Sequence, residues 1–433
     1  MEPVGEEVVE RGALLVIPIA EDAVLDALAQ GADHRLGRRE VHVRHPEGDH
    51  VLAVLPPLRA LRVAPLDHPV EVVSHRASRY HVGREGGPGD MRIGIVGAGA
   101  IGSVVGGLLT KAGQDVTLID QWPEHVAAMR EHGLRLSGTC GEHVVKVKAC
   151  HLHEAQAIEE PFDAVFVAVK SYDTEWATAL AVRHVRPDGV VVDFQNGIND
   201  ERVAAIAGRG RTLGCVITIG AGMYEPGHAT RTDTGKIGFK IGELDGQDTA
   251  RARELARVLS DVAPAHVTTN LWGERWSKLA VNCMANPLAG LSGLGSAEVR
   301  SEPLPRRIAI HIAAEVVEVG RASGYEIEPI YGIAAQRFVD AVQGRGLADV
   351  ERDMAAGARH LSGGRPSLLQ DVLRGRRTEI DYLNGHVCRQ GRRVGVPTPV
   401  NDAVVQAIHD HGVGRLKPDL KNLEPLARVL PRP

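Results

Sequence analysis

From Met91 onward the chain alternates between short unbroken apolar runs and segments whose apolar residues recur every three or four positions. Unbroken runs bounded by turn residues suit strands buried on both faces, and the longer repeat suits one-sided helices. Arg92–Val96 therefore reads as a strand and Ala100–Ala112 as a helix, and Asp115–Ile119 with Glu124–Glu131 repeats the pair. Phe162–Val169 and Val190–Phe194 are further valine-rich runs. Such alternation predicts an open, mostly parallel α/β sheet. Between Thr212 and Lys240 the pattern changes. A Glu225-Pro226-Gly227-His228 turn separates two β-rich segments, which predicts antiparallel strands on the sheet edge. After about Asn270 the strand signals stop. Trp272–Ala285, Arg306–Ser323, Ala334–Ala341 and Ser367–Gln390 carry helical spacing, with a last helix from about Asn401. The expectation is an α/β domain over residues 91–269, an all-helical domain over 270–415 and a tail over 416–433.

Residues 1–90 differ in character, with no Lys, Asn, Cys, Phe or Trp. Ala13–Ile19 and Val51–Leu55 read as short strands and Ala20–Ala29 as a short helix, ahead of a glycine-rich linker over Gly83–Asp90. Met91 would serve well as a protein start. The segment is read as an extension, either an appended small domain or a mis-assigned start, with the second preferred; no function is assigned to it.

Composition narrows the partners. A formal net charge of −5 over 433 residues gives no electrostatic case for nucleic acid or an anionic membrane. Five cysteines in no paired spacing argue against a disulfide framework and fit a reducing cytoplasm. No apolar run is long enough to span a bilayer. His151 and His153 read as strand-face histidines, and no metal is expected. Only nine of the 50 basic residues are lysine. Lysine, unlike arginine, can be tuned to release a proton, which makes Lys170 and Lys278 informative.

Candidate chemistry begins at Gly97-Ala98-Gly99-Ala100-Ile101-Gly102, between a strand and a helix. The first glycine permits a tight turn, the second lets a pyrophosphate approach the backbone, and the third allows close helix–sheet packing. The helix N-terminus then offers free N–H groups to the phosphates. Asp120, 18 residues beyond Gly102, ends the next strand, where a carboxylate accepts from ribose hydroxyls. A carboxylate there repels a 2′-phosphate, so NAD(H) is favoured. Open α/β sheets bind ligands beyond the carboxyl ends of their strands, and there stand Lys170 and Asn196, beside a Gly197 that permits an unusual backbone angle.

In the helical half, Lys278, Asn282 and Asn286 fall at i, i+4 and i+8, on one stripe of an otherwise apolar helix. An amine with two amides suits a polar ligand that needs a proton and hydrogen bonds. Ser367 and Gln370 read as a capping box opening a helix. Ser367, Asp371, Gly375 and Glu379 would then share one ridge, with Gly375 leaving a gap for another backbone or a ligand.

Taken together, the Gly97–Gly102 loop, Val169-Lys170-Ser171, Gln195-Asn196-Gly197, Lys278 to Cys283 with Asn286-Pro287-Leu288, and Ser367 to Asp371 followed by Thr378 to Tyr382 resemble the ketopantoate reductase (2-dehydropantoate 2-reductase) family. The likeness runs from Met91 to about Asp410. It implies a Rossmann-type dinucleotide-binding domain followed by an all-helical domain, with the site in the cleft between them. It also implies NADP(H)-dependent reduction of 2-dehydropantoate to (R)-pantoate, in pantothenate biosynthesis. Carried over by motif, Lys278 is the general acid, and Glu379 orients or tunes its ammonium and meets the substrate. Asn282, Asn286 and Ser367 bind substrate, while Lys170 and Asn196 bridge cofactor and substrate. The small-molecule partner is a 2-oxo acid, and the reading leaves room for a homodimer. Asp120 departs from the family, which usually has a basic residue after the second strand. A different hydroxy-acid dehydrogenase of this fold, or a non-catalytic dinucleotide-sensing protein, are the alternatives. Lys278 and Glu379 argue against the sensor, which has no need of a proton donor.

Overall fold

The computed structural model describes residues 41–44, 50–53, 91–233, 238–358 and 365–430. Residues 1–85 and 86–433 form separate units. In the first, β1 (Val41–Arg44) and β2 (His50–Ala53) pair as an antiparallel ribbon. The strand and helix expected over residues 13–29, and the linker over 83–90, lie outside the described residues.

The second unit opens with an eight-stranded sheet. Its strands are β3 (Arg92–Val96), β4 (Asp115–Asp120), β7 (Lys148–His151), β8 (Phe162–Val167), β9 (Val185–Asp193), β10 (Thr212–Ile217), β13 (Phe239–Glu243) and β14 (Ala265–Val267), in the spatial order β14-β13-β10-β9-β8-β3-β4-β7. All neighbours are parallel except β10 and β13. The order reverses between β3 and β8, and the crevice beyond their carboxyl ends is where such sheets take ligands. The β-rich hairpin does not join this sheet. β11 (Ala221–Glu225) and β12 (His228–Arg231) instead form a second, four-stranded sheet with β5 (Leu134–Gly138) and β6 (His143–Val145), in the order β11-β12-β5-β6. Helix α1 (Ala100–Lys111) lies between the two sheets. Side chains at Gly106 and Gly107 would collide with Leu118 on one side and with Leu134 and Leu136 on the other, so two consecutive glycines admit both layers. Helices α2 (Pro123–His132), α3 (Thr174–His184), α4 (Asp200–Ala207) and α5 (Ala250–Leu259) complete this half.

Helices then take over: α6 (Leu271–Ser292), α7 (Ser296–Ser301), α8 (Pro303–Ala322), α9 (Ala335–Val342), α10 (Leu347–Ala358), α11 (Ser367–Leu373), α12 (Asn384–Val394), α13 (Pro399–His411) and α14 (Glu424–Val429). They enclose a core centred on α6 and α8. Three expectations change. Ser367–Gln390 is not one helix: α11 stops at Leu373, Gly375 takes a left-handed φ of 63°, and α12 starts at Asn384. Residues 416–430 are no loose tail, because Leu423 and Leu426 are fully buried in the helical core. His153 leaves the strand for a 3₁₀ turn, while His151 ends β7.

Helix α6 runs through Pro287, which has no N–H to give the Cys283 carbonyl. Asn384 Nδ2 donates to that carbonyl at 3.3 Å, so the lost backbone bond is replaced and the helix continues. Among the described residues, no helix is long and apolar enough to cross a membrane, and no cluster of three or more His, Cys, Asp or Glu is placed to hold a metal ion.

Candidate active site

The glycine loop has the geometry its spacing predicts. Gly97 sits at φ 102°, where a Cβ would meet the Ala168 backbone. A Cβ on Gly102 would collide with the Gly97 carbonyl oxygen, while Gly99 faces open space. Helix α1 starts without a side-chain cap, leaving its first N–H groups to a ligand. Open space at Gly99 beside an uncapped helix start fits a dinucleotide pyrophosphate. Asp120 performs a task its spacing does not reveal: its two oxygens accept from Ala98 N–H at 2.7 Å and from Trp122 N–H at 2.8 Å. The carboxylate therefore braces the loop as well as lining the crevice with Gln121 and Trp122.

A second brace comes from beneath. Gly227 N–H donates to Nδ1 of the buried His125 at 2.8 Å, which leaves the ring hydrogen on Nε2. Nε2 lies 3.2 Å from Ser103 Oγ, whose hydroxyl donates to the Ala98 carbonyl at 2.7 Å. Burial pushes the His125 pKa down, against the pull of Asp120 and of a hydrogen bond to the Ala98 backbone, so the ring is neutral in this chain of bonds.

Across the crevice, Lys170 meets two carboxylates from the helical half. Its Nζ is 2.6 Å from Asp371 Oδ2 and 3.1 Å from Glu379 Oε2. Glu379 Oε1 also accepts from Ser171 N–H and Ser171 Oγ–H, both at 2.9 Å. Burial works against the Lys170 ammonium, but the two carboxylates outweigh it and raise its pKa. Burial raises the Asp371 pKa against the pull of Lys170. The expectation that Glu379 orients the Lys278 ammonium is thus corrected. Glu379 lies beyond the end of α11, after the left-handed Gly375, so it falls off the Ser367–Asp371 ridge and its carboxylate turns to Lys170 and Ser171. The gap at Gly375 is filled by Gly414, a backbone approach rather than a ligand.

The polar stripe of α6 is as predicted. Lys278, Asn282 and Asn286 line one cavity of about 560 Å³, together with Asn196 and Ser367. Asn282 Nδ2 donates to Asn196 Oδ1 at 3.3 Å. The dinucleotide crevice, about 440 Å³, adjoins it. Ile101, Asn196, Ile219, Ala221, Ser367 and Gln370 line both spaces, so they form one continuous cleft. Ser367 is the first residue of α11 rather than its cap. Pro366 holds the cap position with no side-chain bond, and Gln370 donates to the Arg365 carbonyl. Ser367 itself lines both parts of the cleft.

One turn before Lys278, Arg275 fixes the root of the helix. Its guanidinium bonds Asp193 Oδ2 at 2.9 Å, Asp200 Oδ1 at 2.7 Å and the Gln195 and Cys215 carbonyls at 3.1 Å, all buried. Burial raises the Asp193 pKa well above the usual range, against the pull of Arg275. Asp193 ends β9 and Asp200 opens α4, so α6 is registered against the sheet that forms the crevice and the helix beside it. Lys278 itself has no hydrogen-bond or ion-pair partner among the described residues. Burial lowers its pKa to about 8, with the Asp233 carboxylate acting in the opposite sense. Asp233, Lys240 and Glu274 line the same cavity, and Lys240 pairs with Glu274 at 2.5 Å. Sequence spacing gave no sign of Arg275 or His125, nor of the pairing of Asp371 with Lys170, because these partners are distant along the chain.

Comparison with known proteins agrees with this geometry. The family model described as ketopantoate reductase PanE/ApbA matches residues 93–246, and that for the PanE/ApbA C terminal matches residues 270–412. The 2-dehydropantoate 2-reductase of Archaeoglobus fulgidus is 31% identical over 321 residues, covering 73% of this chain and 96% of its own. The crystal structure of a PanE/ApbA family ketopantoate reductase from Ralstonia eutropha JMP134 is similar, with a TM-score of 0.61, 28% identity, and coverage of 74% of this chain and 99% of that one. D-mandelate dehydrogenase, solved with NADH and anilino(oxo)acetate, has a TM-score of 0.63 and 26% identity, covering 74% of this chain and 97% of its own. On the two matched models and the well-covered relative, the chain belongs to the ketopantoate reductase family of nicotinamide-dependent oxidoreductases.

Proposed function

We propose that the chain reduces 2-dehydropantoate, or a close branched 2-oxo acid, to the 2-hydroxy acid, with Lys278 as general acid and NADH as the favoured cofactor. The observation that carries this reading is the Lys278 ammonium, its pKa brought down to about 8 in a cavity continuous with the dinucleotide crevice. A general acid works best with a pKa near the operating pH. The bound nicotinamide supplies the hydride. Lys278 gives its proton to the ketone oxygen as the carbon is reduced. Asn282, Asn286 and Ser367 hold the carboxylate and hydroxyl groups, and Asn196, bonded to Asn282, places the substrate over the cofactor. Lys170, steadied by Asp371 and Glu379, lines the crevice where cofactor and substrate meet.

Asp120 supports NADH, since a carboxylate at that position repels a 2′-phosphate. The D-mandelate dehydrogenase solved with NADH supports a second reading, a hydroxy-acid dehydrogenase for another bulky 2-oxo acid. On either reading residues 91–269 hold the dinucleotide and 270–415 the substrate, and a homodimer remains part of the proposal.

The test is oxidation of NADH and of NADPH with 2-dehydropantoate and with phenylglyoxylate. Turnover of 2-dehydropantoate, lost by about 100- to 10,000-fold in Lys278→Ala while dinucleotide still binds, is the expected result. Turnover of phenylglyoxylate alone selects the second reading. Unchanged turnover in Lys278→Ala removes the assigned role.

A further inference from the structure

Ile330-Tyr331-Gly332-Ile333 closes a two-residue turn, with Ile330 N–H donating to the Ile333 carbonyl and Ile333 N–H to the Ile330 carbonyl, both at 2.9 Å. Its central residues have φ of 54° and 78°, as a type I′ turn requires. Asparagine followed by glycine is the ordinary choice there. A larger L side chain is disfavoured because its Cβ crowds the following carbonyl oxygen. Tyr331 is the only non-glycine residue with positive φ among those described. The turn is held against the helix that carries Lys278. Ser277 Oγ donates to the Pro329 carbonyl at 2.9 Å, and Asn270 Nδ2 donates to Glu328 Oε1 at 2.9 Å.

Behind the ring sits an unusual cation. The Arg300 guanidinium lies 4.0 Å from the centroid of Tyr331, and Arg300 is only 5% exposed. It has no carboxylate and no hydrogen bond among the described residues, and its Nε is buried without a partner. Gly357 leaves it room, since a Cβ there would collide with Nη2. A buried guanidinium is normally paired with an acid. Here the ring face of Tyr331 is the group that meets it. A strained tyrosine therefore stands at the wall of the 560 Å³ cavity, with an arginine that lacks an acid partner among the described residues against its ring. Strain of this kind persists where the surroundings enforce it, and it gathers at ligand sites.

Lys278, Asn282, Asn286 and Ser367 give the cavity polar groups, and Val281, Ala285, Pro329 and Tyr331 give it apolar surface. If the polar groups take the oxo-acid end, as proposed above, the apolar surface is left for the substrate's side chain. We infer that Tyr331, fixed by Arg300 and the Ile330–Ile333 turn, is a specificity-determining residue that selects 2-oxo acids with branched or aromatic side chains over small ones. The inference rests on the reading of Lys278 and its neighbours as the oxo-acid site.

The test compares kcat/KM for 2-dehydropantoate and phenylglyoxylate with that for pyruvate in the full chain. Tyr331→Asn removes the ring while suiting the turn. Shape discrimination in an apolar pocket is worth roughly 10- to 200-fold. Tyr331→Asn should lower the bulky-to-small ratio by that order, with KM for NADH unchanged. Tyr331→Phe should keep the ratio, and Arg300→Met should lose part of it. An unchanged ratio, or a parallel fall for all three acids, would overturn the inference. If the native chain turns over no 2-oxo acid, the proposed function fails separately, and binding decides the role of Tyr331. A rise in melting temperature with phenylglyoxylate and NADH, present in the native chain and absent in Tyr331→Asn, supports it. No rise, or an equal rise in both, overturns it.

Discussion

Replacing Lys278 with methionine should make the protein more stable and nearly inactive at once. Burial lowers the Lys278 pKa from 10.5 to about 8, with only Asp233 opposing. At about 1.36 kcal/mol for each pH unit, that displacement corresponds to about 3 kcal/mol. Below pH 8 the folded and unfolded chains both carry the proton, and the folded state bears the full cost of desolvating it. Between about 8 and 10.5 the folded chain gives up its proton first, the unfolded chain binds more, and native stability rises with pH. Methionine keeps the methylene stem and removes the charge. Near neutral pH it should therefore add about 1–3 kcal/mol, a gap that closes as the pH approaches 10.5. Urea denaturation of both proteins across this range measures it. The same variant should lose about 100- to 10,000-fold in kcat. A variant no more stable than the native chain at neutral pH, or a gap that ignores pH, would refute the burial argument.

Three further outcomes are expected. For reduction, kcat/KM should fall as pH rises through about 8, where Lys278 loses its proton; Asp233→Asn, which removes the one group raising that pKa, should move the limb to lower pH in a rate profile. Gln121→Arg, which places a cation on the wall of the dinucleotide crevice without disturbing the bonds of Asp120, should improve the NADPH-to-NADH ratio of kcat/KM by roughly tenfold or more. His125 has its folded pKa pushed below 6.5, so the stability it contributes is fully present above that value and is lost as pH falls below it toward the folded value; His125→Phe should flatten this acid limb in a melting-temperature series and raise KM for the dinucleotide.

The parts of the site that could be read from the sequence were those encoded by local period. Three glycines at fixed offsets needed no distant partner, and Lys278, Asn282 and Asn286 share a face because a helix repeats every 3.6 residues. Glu379 was misplaced because one left-handed glycine ended the helix that the spacing had extended. Its true partners, Lys170 and Ser171, are some 200 positions away, and Asp371 is separated from Lys170 by 201. The β11–β12 hairpin was legible as a hairpin, but its partner β5 lies about 90 residues earlier, so its sheet was not. Helix α10 and the packed segment around Leu423 were missed because tertiary burial, rather than a strong pattern, holds them.

The bonds that run from Gly227 through His125 and Ser103 to Ala98 bear on how the glycine loop can be inherited or engineered. A six-residue motif is usually treated as a portable cassette. Here its shape depends on a hairpin turn that lies in another sheet more than 100 residues later, read through one neutral imidazole. Grafted alone onto a foreign strand and helix, Gly97–Gly102 would lack its underside support. The smallest transferable unit is discontinuous: residues 92–138 together with the 221–231 hairpin. Recombination that exchanges one segment without the other should yield chimaeras that fold but hold the dinucleotide poorly, and the natural boundaries for swapping lie outside both.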